Sequence, residues 1–227
     1  AARLYNLAYR MAGTGNDALH LASRGHKIHT MDIAEGMISQ IQKKIKENNL
    51  SHCWTCQQLS YHQLDKAAGR EYDHVFSNFG GLNCIDDLAH VTDKLPLLLK
   101  PGAFVTWVIM PPVCLWELLW VFKGSPKKAF RRFSKKGVKA HVEGEYFQTY
   151  YHSLSDIKRA FGKAFTHIKC EGLAALTPQP HRGDFPGSHP ILYRFLQKTD
   201  ALVRTRFPFN RWADHIIVTF QYEPARR

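Results

Sequence analysis

The sequence predicts an α/β fold whose sheet is doubly wound and mostly parallel, with helices on both faces. Segments with strand-like and helix-like patterns alternate along most of the 227-residue chain, as they do in folds of this class. Residues 103–110 (AFVTWVIM) are almost wholly apolar, which is typical of a strand covered on both faces. Over residues 11–32, a glycine turn, a short helix, a strand and an acid follow one another, and this order is typical of a nucleotide-binding half-unit.

The glycine turn is Gly13-Thr14-Gly15, and its glycines let a ligand approach the backbone and the start of the next helix. That short helix ends at Gly25, because glycine adopts the left-handed backbone conformation readily. Residues 27–31 predict a strand, and Asp32 after it can accept two hydrogen bonds from a ribose diol. The pattern also fits a dinucleotide fingerprint or a plain structural turn, so it identifies no ligand by itself.

The other elements follow from apolar periodicity and from turn residues. An apolar stripe formed by Met37, Ile38, Ile41 and Ile45 predicts a helix over residues 34–49. By similar patterns we expect helices over residues 85–99, 115–122, 126–136, 155–165 and 191–204. We expect the remaining strands over residues 7–12, 52–58, 72–77, 145–152, 167–176 and 215–222.

Length and composition indicate one folded domain that carries an insertion. Hydrophobic residues make up 44% of the chain, which excludes disorder throughout, and no apolar run is as long as a membrane span. The net charge is +12, but eight basic residues and no acidic ones lie in the segment that begins at Lys123 and ends at Lys139. Outside this segment 23 basic residues face 19 acidic ones, so the argument for an anionic partner belongs to the segment itself.

The five cysteines are an odd, scattered set, which is not the pattern of a disulfide scaffold and favours the reducing cytoplasm. Cys53 and Cys56 form a C-x-x-C pattern inside a strand-like run. A zinc site would need a second pair, and a redox site would place the motif at the start of a helix. We therefore predict a cytoplasmic protein without a metal site.

Four sequence features together resemble the class I S-adenosylmethionine-dependent methyltransferases, which have a Rossmann-like fold. In chain order they are residues 12–15 (AGTG), 31–34 (MDIA), 72–78 (YDHVFSN) and 97–103 (LLLKPGA). The Lys-Pro-Gly turn in the last of these is not expected of a dehydrogenase. The resemblance covers residues 11–110 well and residues 146–222 more loosely, and it implies that the last strand is antiparallel to its neighbours.

The resemblance implies S-adenosyl-L-methionine as the cofactor and S-adenosyl-L-homocysteine as its product. Asp32 would bind the ribose hydroxyls, Ile33 and Met37 would pack on the adenine, and residues 59–60 would lie at the adenine edge. The glycine turn would hold the amino-acid part and the sugar, and residues 78–79 would line the methionine part. The full set of implied cofactor-binding residues is Gly13, Thr14, Gly15, Asp32, Ile33, Met37, Leu59, Ser60, Asn78 and Phe79.

Two features depart from the family's pattern. Tyr9 and Met11 stand where the family usually has an acid and a further glycine, and Leu59-Ser60-Tyr61 has no acid for the adenine amino group. Backbone groups can take the place of the adenine acid. Nothing obvious replaces the acid and the glycine that are missing at Tyr9 and Met11. A non-catalytic interaction protein on the same fold therefore stays open as an alternative.

Methyl transfer from a sulfonium mainly requires that the acceptor is positioned in line, so no obvious catalytic motif is expected. A general base is needed only when the acceptor keeps its proton at neutral pH. The candidate bases are His141, His152, His181 and His189, and Tyr150 beside His152 lies in a zone that borders the acceptor pocket in similar enzymes.

Residues 111–144 are predicted to form an insertion after the fifth strand, folded as a helical lid over the acceptor side of the cofactor. The core would comprise residues 1–110 and 145–227, with a further loop and helix inserted at about residues 177–211. Trp116 and Trp120 would face inward, unless they form the core of the insertion itself. A basic helix would face outward, to solvent or to an anionic partner, with Lys127, Lys128, Arg131 and Arg132 on its surface.

We therefore expect a methyltransferase that uses S-adenosyl-L-methionine and modifies a small, partly apolar or anionic acceptor. Its basic segment would be the surface for an anionic membrane, and it also suggests an RNA or other nucleic-acid methyltransferase as an alternative. Against that alternative, the fourth strand is followed by Asn78-Phe79-Gly80-Gly81 and lacks the N/D-P-P-aromatic motif of amine methylation.

Overall fold

The computed structural model describes residues 6–10, 14–67, 69, 71–78, 80–142, 145–178 and 184–224. Strands dominate the centre of the molecule. In chain order they are β1 (Asn6–Arg10), β2 (Lys27–Asp32), β3 (Trp54–Gln58), β4 (Tyr72–Ser77), β5 (Leu99–Ile109), β6 (Val138–Val142), β7 (Glu145–Thr149), β8 (Phe165–Leu173) and β9 (His215–Tyr222). The predicted helix end over residues 1–6 lies mostly outside the described residues.

Seven of these strands form one sheet in the order β3-β2-β1-β4-β5-β9-β8. The first five strands pair in parallel, whereas β9 is antiparallel to both of its neighbours, β5 and β8. This arrangement confirms the predicted mostly parallel sheet and its antiparallel last strand. The other two strands, β6 and β7, form a separate antiparallel hairpin.

The α-helices are α1 (Asn16–Ala22), α2 (Glu35–Glu47), α3 (Ala89–Thr92), α4 (Leu115–Leu118), α5 (Pro126–Ala129), α6 (Leu154–Phe161), α7 (Phe185–Ser188) and α8 (Pro190–Val203). Short 3-10 helices cover Tyr61–Ala67, Gly81–Cys84, Leu95–Leu97, Leu119–Val121 and Arg131–Phe133. A capping box formed by Ser153 and Asp156 fixes the start of α6. Within the described residues, every helix is too short or too polar to cross a membrane.

Apolar side chains cover both faces of the sheet. Val75 and Phe76 are neighbours on β4 and pack into different apolar clusters, so the clusters lie on opposite faces of the sheet. The smaller cluster packs α1 and α2 against the sheet through Ala18, Ile41 and Trp54. The larger cluster includes side chains of α3 and α6. The sheet is therefore doubly wound, as predicted.

The predicted helix over residues 85–99 is wrong in its extent. The structure has only the short α3, then the 3-10 turn Leu95–Leu97, and Leu99 already pairs with Tyr72 at the start of β5. Pro96 explains the break, because proline cannot donate a backbone hydrogen bond and disfavours helical geometry in the residue before it.

The insertion is less helical than predicted. The expected helix over residues 115–122 divides into α4 and a 3-10 turn, and the expected basic helix over residues 126–136 ends at Ala129. The strand β6, which pairs with β7, was not predicted from the sequence. The helical lid therefore stays a prediction, and only short helices support it.

The strand directions determine where the connecting segments meet. The carboxyl ends of β1 to β5 lie at one edge of the sheet, because these strands are parallel. Both β5 and β8 are antiparallel to β9, so β8 ends at this same edge and β9 begins there. The insertion after β5 and the segment between β8 and β9 thus both leave the sheet at its carboxyl edge, where ligands bind in open α/β folds.

Candidate active site

A cavity of about 210 Å³ opens at the carboxyl edge, next to the ends of β2, β3 and β4. Among the predicted cofactor-binding residues, Asp32, Ile33, Leu59 and Ser60 line this cavity. The rest of its wall consists of Met31, Tyr61, His62, Gly81, Cys84 and Ile85. A mainly apolar wall with one carboxylate suits a flat ring that is joined to a group with hydrogen-bond donors.

The Asp32 carboxylate is held in this wall although only 5% of the residue is exposed. Its Oδ1 accepts a hydrogen bond from Ala34 N at 3.0 Å, in the turn before α2. Its backbone carbonyl accepts one from Leu59 N at 2.9 Å and joins the ends of β2 and β3. Burying a carboxylate is costly unless it gains hydrogen bonds, and two ribose hydroxyls would supply them.

Ile33 lies on the same wall but is apolar and 60% exposed, whereas Asp32 is charged and nearly buried. A ligand that covers this side chain removes apolar surface from water. Met37, which was predicted to pack on the same ring, is half-buried on α2 and does not belong to the described wall of the cavity. The structure thus brings Asp32 and Ile33 together and leaves Met37 one turn further along.

Gly15 ends the glycine turn with a φ of 75°, which lies in the left-handed region that favours glycine. A Cβ atom there would lie 3.0 Å from Ile41 Cγ1 and 3.1 Å from the Trp54 ring. Glycine is therefore also required for the close packing of the turn against α2 and β3. Lys44 of α2 fixes the turn as well, because its Nζ donates to the Thr14 carbonyl at 2.7 Å.

Asn78 follows β4, and its Nδ2 donates to the Asp17 carboxylate in the first turn of α1. This contact lies between β1 and β4, where the order of strands in the sheet reverses direction. Ligands of open α/β sheets bind at such a reversal. Two other predicted cofactor-binding residues, Gly13 and Phe79, lie outside the described residues and stay predictions.

Three residues of the cavity wall that follow β4 were not predicted from the sequence. Gly81 and Cys84 begin and end the 3-10 helix after that strand, and Ile85 comes next. On the facing side, the Tyr61 hydroxyl and Ser77 Oγ form a hydrogen bond of 2.7 Å. The adjacent glycines at positions 80 and 81 were the sequence signal for this part of the wall, because residues without a side chain leave room beside the backbone.

Asn83 is fully buried and connects three segments at the carboxyl edge. Its Oδ1 accepts from Met110 N at 2.9 Å, and its Nδ2 donates to Met110 O at 3.1 Å and to Tyr150 O at 2.6 Å. Its backbone carbonyl accepts from Tyr150 N at 2.6 Å. These bonds fix the end of β5 and the segment after β7, and no sequence pattern indicated this role for a single loop asparagine.

His152, the strongest candidate base beside Tyr150, is buried and turned to the backbone. Its Nε2 lies 2.9 Å from the Ile85 carbonyl, which requires that this nitrogen donates. Burial lowers the pKa of His152, although the Ile85 hydrogen bond opposes the effect. The residue lines a second cavity that Asp86 and Asp156 also border, while Tyr150 is half-buried and held by its backbone.

Among the other candidate bases, His189 has a described side chain. It is exposed before α8, where its ring stacks on Phe185 with 4.9 Å between the centroids. The side chain of His141 and the whole of His181 lie outside the described residues. The assignment of a general base therefore stays open between these histidines and a reaction that needs none.

A buried cluster of charged residues fixes the insertion to the core. Arg132 is 3% exposed, and its Nε donates to the Glu117 carboxylate at 2.9 Å. Its Nη2 and Nη1 donate to the Asp214 carboxylate at 2.9 Å and to the Asp214 carbonyl at 2.8 Å. Arg131 adds two hydrogen bonds of 2.7 Å to Glu117. The predicted outward position is therefore wrong for Arg132, because two buried carboxylates bind its side chain.

The electrostatics of this cluster favour ion pairs. Burial by itself would raise the pKa of the Glu117 carboxyl, but the Arg131 hydrogen bond and the Arg132 charge outweigh it and hold that pKa below its usual value. Cys114 Sγ lies within 4.8 Å of carboxylate oxygens of Glu117 and Asp214, a spacing found in metal sites. Guanidinium groups already occupy both carboxylates, so the geometry fits an ion-pair network and not a metal site.

The two tryptophans of the insertion are half-buried, and neither belongs to the described wall of the 210 Å³ cavity. The Lys123 and Lys128 ammonium groups lie 5.3 and 4.9 Å from the Trp120 ring centroid. The ring and these lysines therefore share one side of the segment, which contradicts the predicted separation of an inward Trp120 from outward lysines. Trp116 lies on α4, and its role in acceptor binding stays a prediction.

Comparison with known proteins agrees with this geometry. Residues 11–102 match the family model described as a methyltransferase domain. An S-adenosylmethionine-dependent methyltransferase from Methanosarcina mazei has the same fold, with a TM-score of 0.64, 12% identity, and coverage of 99% of this chain and 95% of that chain. No curated protein sequence matches the chain significantly.

Two further solved structures have this fold. The CcbJ methyltransferase from Streptomyces caelestis gives a TM-score of 0.62 at 13% identity, with 98% of this chain and 85% of that chain covered. An S-adenosylmethionine-dependent methyltransferase from Clostridium acetobutylicum gives 0.61 at 12% identity, with 96% and 84% covered. Together with the domain match over residues 11–102, they show that the chain has the fold of S-adenosylmethionine-dependent methyltransferases.

Proposed function

We propose that this methyltransferase transfers the methyl group of S-adenosyl-L-methionine to a small acceptor that is partly apolar or anionic. The observation that carries the proposal is the cavity in which the nearly buried Asp32 and the exposed Ile33 meet. Asp32 accepts hydrogen bonds from both ribose hydroxyls, and Ile33 covers one face of the adenine. Leu59 and Ser60 border the ring, and backbone groups take the place of the absent adenine acid.

The protein's part in the reaction is mainly to position the acceptor. The bound cofactor supplies a methyl group that its sulfonium already activates for in-line displacement. Thr14, Gly15 and Asn78 border the methionine part at the reversal between β1 and β4. On the acceptor side, Asn83 holds Tyr150 and the end of β5 in fixed positions. His152 does not need to act as a base, and its Nε2 is already committed to Ile85.

The acceptor class is inferred from what surrounds the carboxyl edge. Tyr150 and Trp116 are both half-buried there and offer apolar surface. The insertion brings cationic side chains to the same edge, because Arg132 ties it to Asp214 at the start of β9. A small molecule with an apolar body and an anionic or weakly acidic group suits both features.

The test is methyl transfer with tritium-labelled cofactor and a panel of small phenols, carboxylic acids and amines. We expect label in a phenol or carboxylic acid. Ile33→Ser should raise the KM for the cofactor by roughly five- to thirty-fold at unchanged kcat, because about 1–2 kcal/mol of apolar contact is lost. Ile168→Ser is the matched control, since Ile168 is 46% exposed on β8 and does not line the cavity.

Each other outcome overturns a stated part of the proposal. Label that enters RNA and no small acceptor supports the nucleic-acid alternative. Cofactor binding without transfer to any acceptor supports the non-catalytic alternative. Equal effects of Ile33→Ser and Ile168→Ser would remove Ile33 from the cofactor site.

A further inference from the structure

The helix α8 exposes an apolar stripe that nothing in the described part of the chain covers. None of its residues is buried, although it runs for 14 residues from Pro190 to Val203. Ile191, Phe195 and Leu202 are 86%, 63% and 74% exposed. Their spacing of four and seven residues places them on one face of the helix. A stripe of this kind in water requires a partner surface.

The insertion exposes a second set of apolar side chains. Phe122 is 87% exposed, and the Phe130 and Phe133 rings contact each other at 5.9 Å between centroids while about half of each residue is exposed. Leu119 and Val121 in the adjacent 3-10 turn are also exposed. We call this set, together with its neighbouring lysines, the insertion surface, and the stripe on α8 with its neighbouring cations the α8 surface.

Both surfaces are positively charged. The exposed cations of the insertion surface are Lys123, Lys127, Lys128, Lys135 and Lys136, and residues 119–137 contain no acid. The cations in and after α8 are Arg194, Lys198, Arg204, Arg206 and Arg211, and among them Arg204 forms an ion pair of 3.3 Å with Glu171 of β8. The one acid there, Asp200, accepts hydrogen bonds from Thr177 and from Leu176 N. Apolar and basic side chains without free acids form the pattern of an interfacial membrane-binding segment.

Contacts with the core bring both surfaces to the same edge of the sheet. The insertion leaves β5 at the carboxyl edge and is tied to Asp214 through Arg132, with 2.8 Å between Arg132 Nη1 and the Asp214 carbonyl. The α8 segment leaves β8 at this edge, and its Arg204 carbonyl accepts from Gly172 N at 2.7 Å. Both surfaces therefore flank the edge at which the candidate active site opens.

We propose that these two surfaces bind an anionic lipid membrane and hold the carboxyl edge of the sheet against it. Charge complementarity favours this occupant over a second copy of the chain, because a symmetric contact would bring basic surfaces together. It is also favoured over nucleic acid, since Ile191, Leu202 and Leu119 are aliphatic and cannot stack on bases. This inference goes beyond the proposed reaction and does not depend on the identity of the acceptor.

The experiment is co-sedimentation with vesicles of phosphatidylcholine containing 30% phosphatidylglycerol, compared with phosphatidylcholine alone. We expect the wild type to bind the anionic vesicles at least tenfold more tightly, and to lose most of that preference in high salt. Phe122→Ser with Phe195→Ser should weaken binding at least tenfold. Lys127→Ser with Lys136→Ser should weaken binding to anionic vesicles severalfold.

The control variants change exposed residues that lie outside both surfaces. Leu97→Ser with Ile168→Ser replaces two exposed apolar residues, and Lys27→Ser with Lys46→Ser removes two exposed charges, so both pairs should leave binding unchanged. S-adenosyl-L-homocysteine affinity and thermal unfolding report that every variant is folded. Equal binding to neutral vesicles, or equal effects of surface and control variants, would overturn the proposal. The proposal would also be overturned if the wild type bound no vesicles and instead formed a dimer or an RNA complex that the Phe122 and Phe195 changes disrupt.

Discussion

Asp32 and Ile33 are adjacent in the chain, and their exposures are the reverse of what their chemistry favours in water. The carboxylate is nearly buried and the isoleucine is mostly exposed, at 5% and 60%. Both costs are relieved by one ligand that offers hydroxyl donors to the first residue and a flat apolar face to the second. This pair of residues is the strongest local argument for the position of the cofactor.

His74 shows how burial of a single residue makes stability depend on pH. Its side chain lies between Phe76 and Phe104 with 6.4 Å between ring centroids, and its Nε2 is 2.9 Å from Thr106 Oγ1. Burial lowers the pKa of His74 to about 4. The unfolded chain, with a usual histidine pKa of about 6.5, therefore binds the proton first as the pH falls.

We expect His74 to reduce the free energy of unfolding as the pH falls from about 6.5 to about 4, by at most roughly 3 kcal/mol. Urea unfolding at a series of pH values would measure this dependence. His74→Gln keeps an amide for Thr106 and should make the dependence shallower. His20→Gln is the control, because His20 is exposed on α1. An identical pH profile for wild type and His74→Gln would contradict this account.

The insertion is an element whose position depends on one buried cation. Removing Arg132 leaves the Asp214 carboxylate buried without its guanidinium partner, and Glu117 retains only the half-exposed Arg131. Arg132→Met should therefore lower the free energy of unfolding by about 3–5 kcal/mol. Arg131→Met should cost about 1 kcal/mol, since solvent screens that side chain and Glu117 keeps Arg132. Denaturant titration of both variants measures the difference, and equal small losses would contradict the anchoring role.

At the scale of elements, the sequence predicted helices with a regular apolar periodicity well. It predicted poorly the elements whose ends depend on contacts with distant residues. The α2 helix follows from apolar residues at helical spacing, because Ile38, Ile41 and Ile45 are all buried. The expected basic helix ends at Ala129 instead, since the two arginines beyond it turn towards Glu117. A contact with a residue 14 or 15 positions earlier leaves no periodic signal in the chain.

The candidate site also contains residues that could be predicted from the sequence and residues that could not. Asp32 was predictable because an acid after the second strand falls at the carboxyl edge in any sheet of this order. Asn83 was not, because its importance comes from hydrogen bonds to Met110 and Tyr150, which lie 27 and 67 positions away. Sequence patterns locate the tips of strands, whereas the contacts that hold distant segments together require the folded structure.

At the scale of the whole molecule, the order and direction of the strands determine which segments meet at the carboxyl edge of the sheet. The order of the strands reverses between β1 and β4, and β8 returns the chain to this same edge, where β9 begins. The 210 Å³ cavity, the Asn83 contacts and the starts of the insertion and of the α8 segment are thereby gathered at the carboxyl edge of the sheet. The central claim is that this edge binds S-adenosyl-L-methionine through Asp32.

Isothermal titration of S-adenosyl-L-homocysteine into the wild type, Asp32→Ala and Glu47→Ala tests this claim most directly. We expect one site per chain in the wild type and in Glu47→Ala, whose exposed carboxylate lies at the far end of α2. Asp32→Ala should lose about 1.5–3 kcal/mol of binding free energy, a weakening of roughly 10- to 150-fold, because two hydrogen bonds to a charged acceptor disappear. Equal affinity in Asp32→Ala and the wild type, or no binding by the wild type, would contradict the claim.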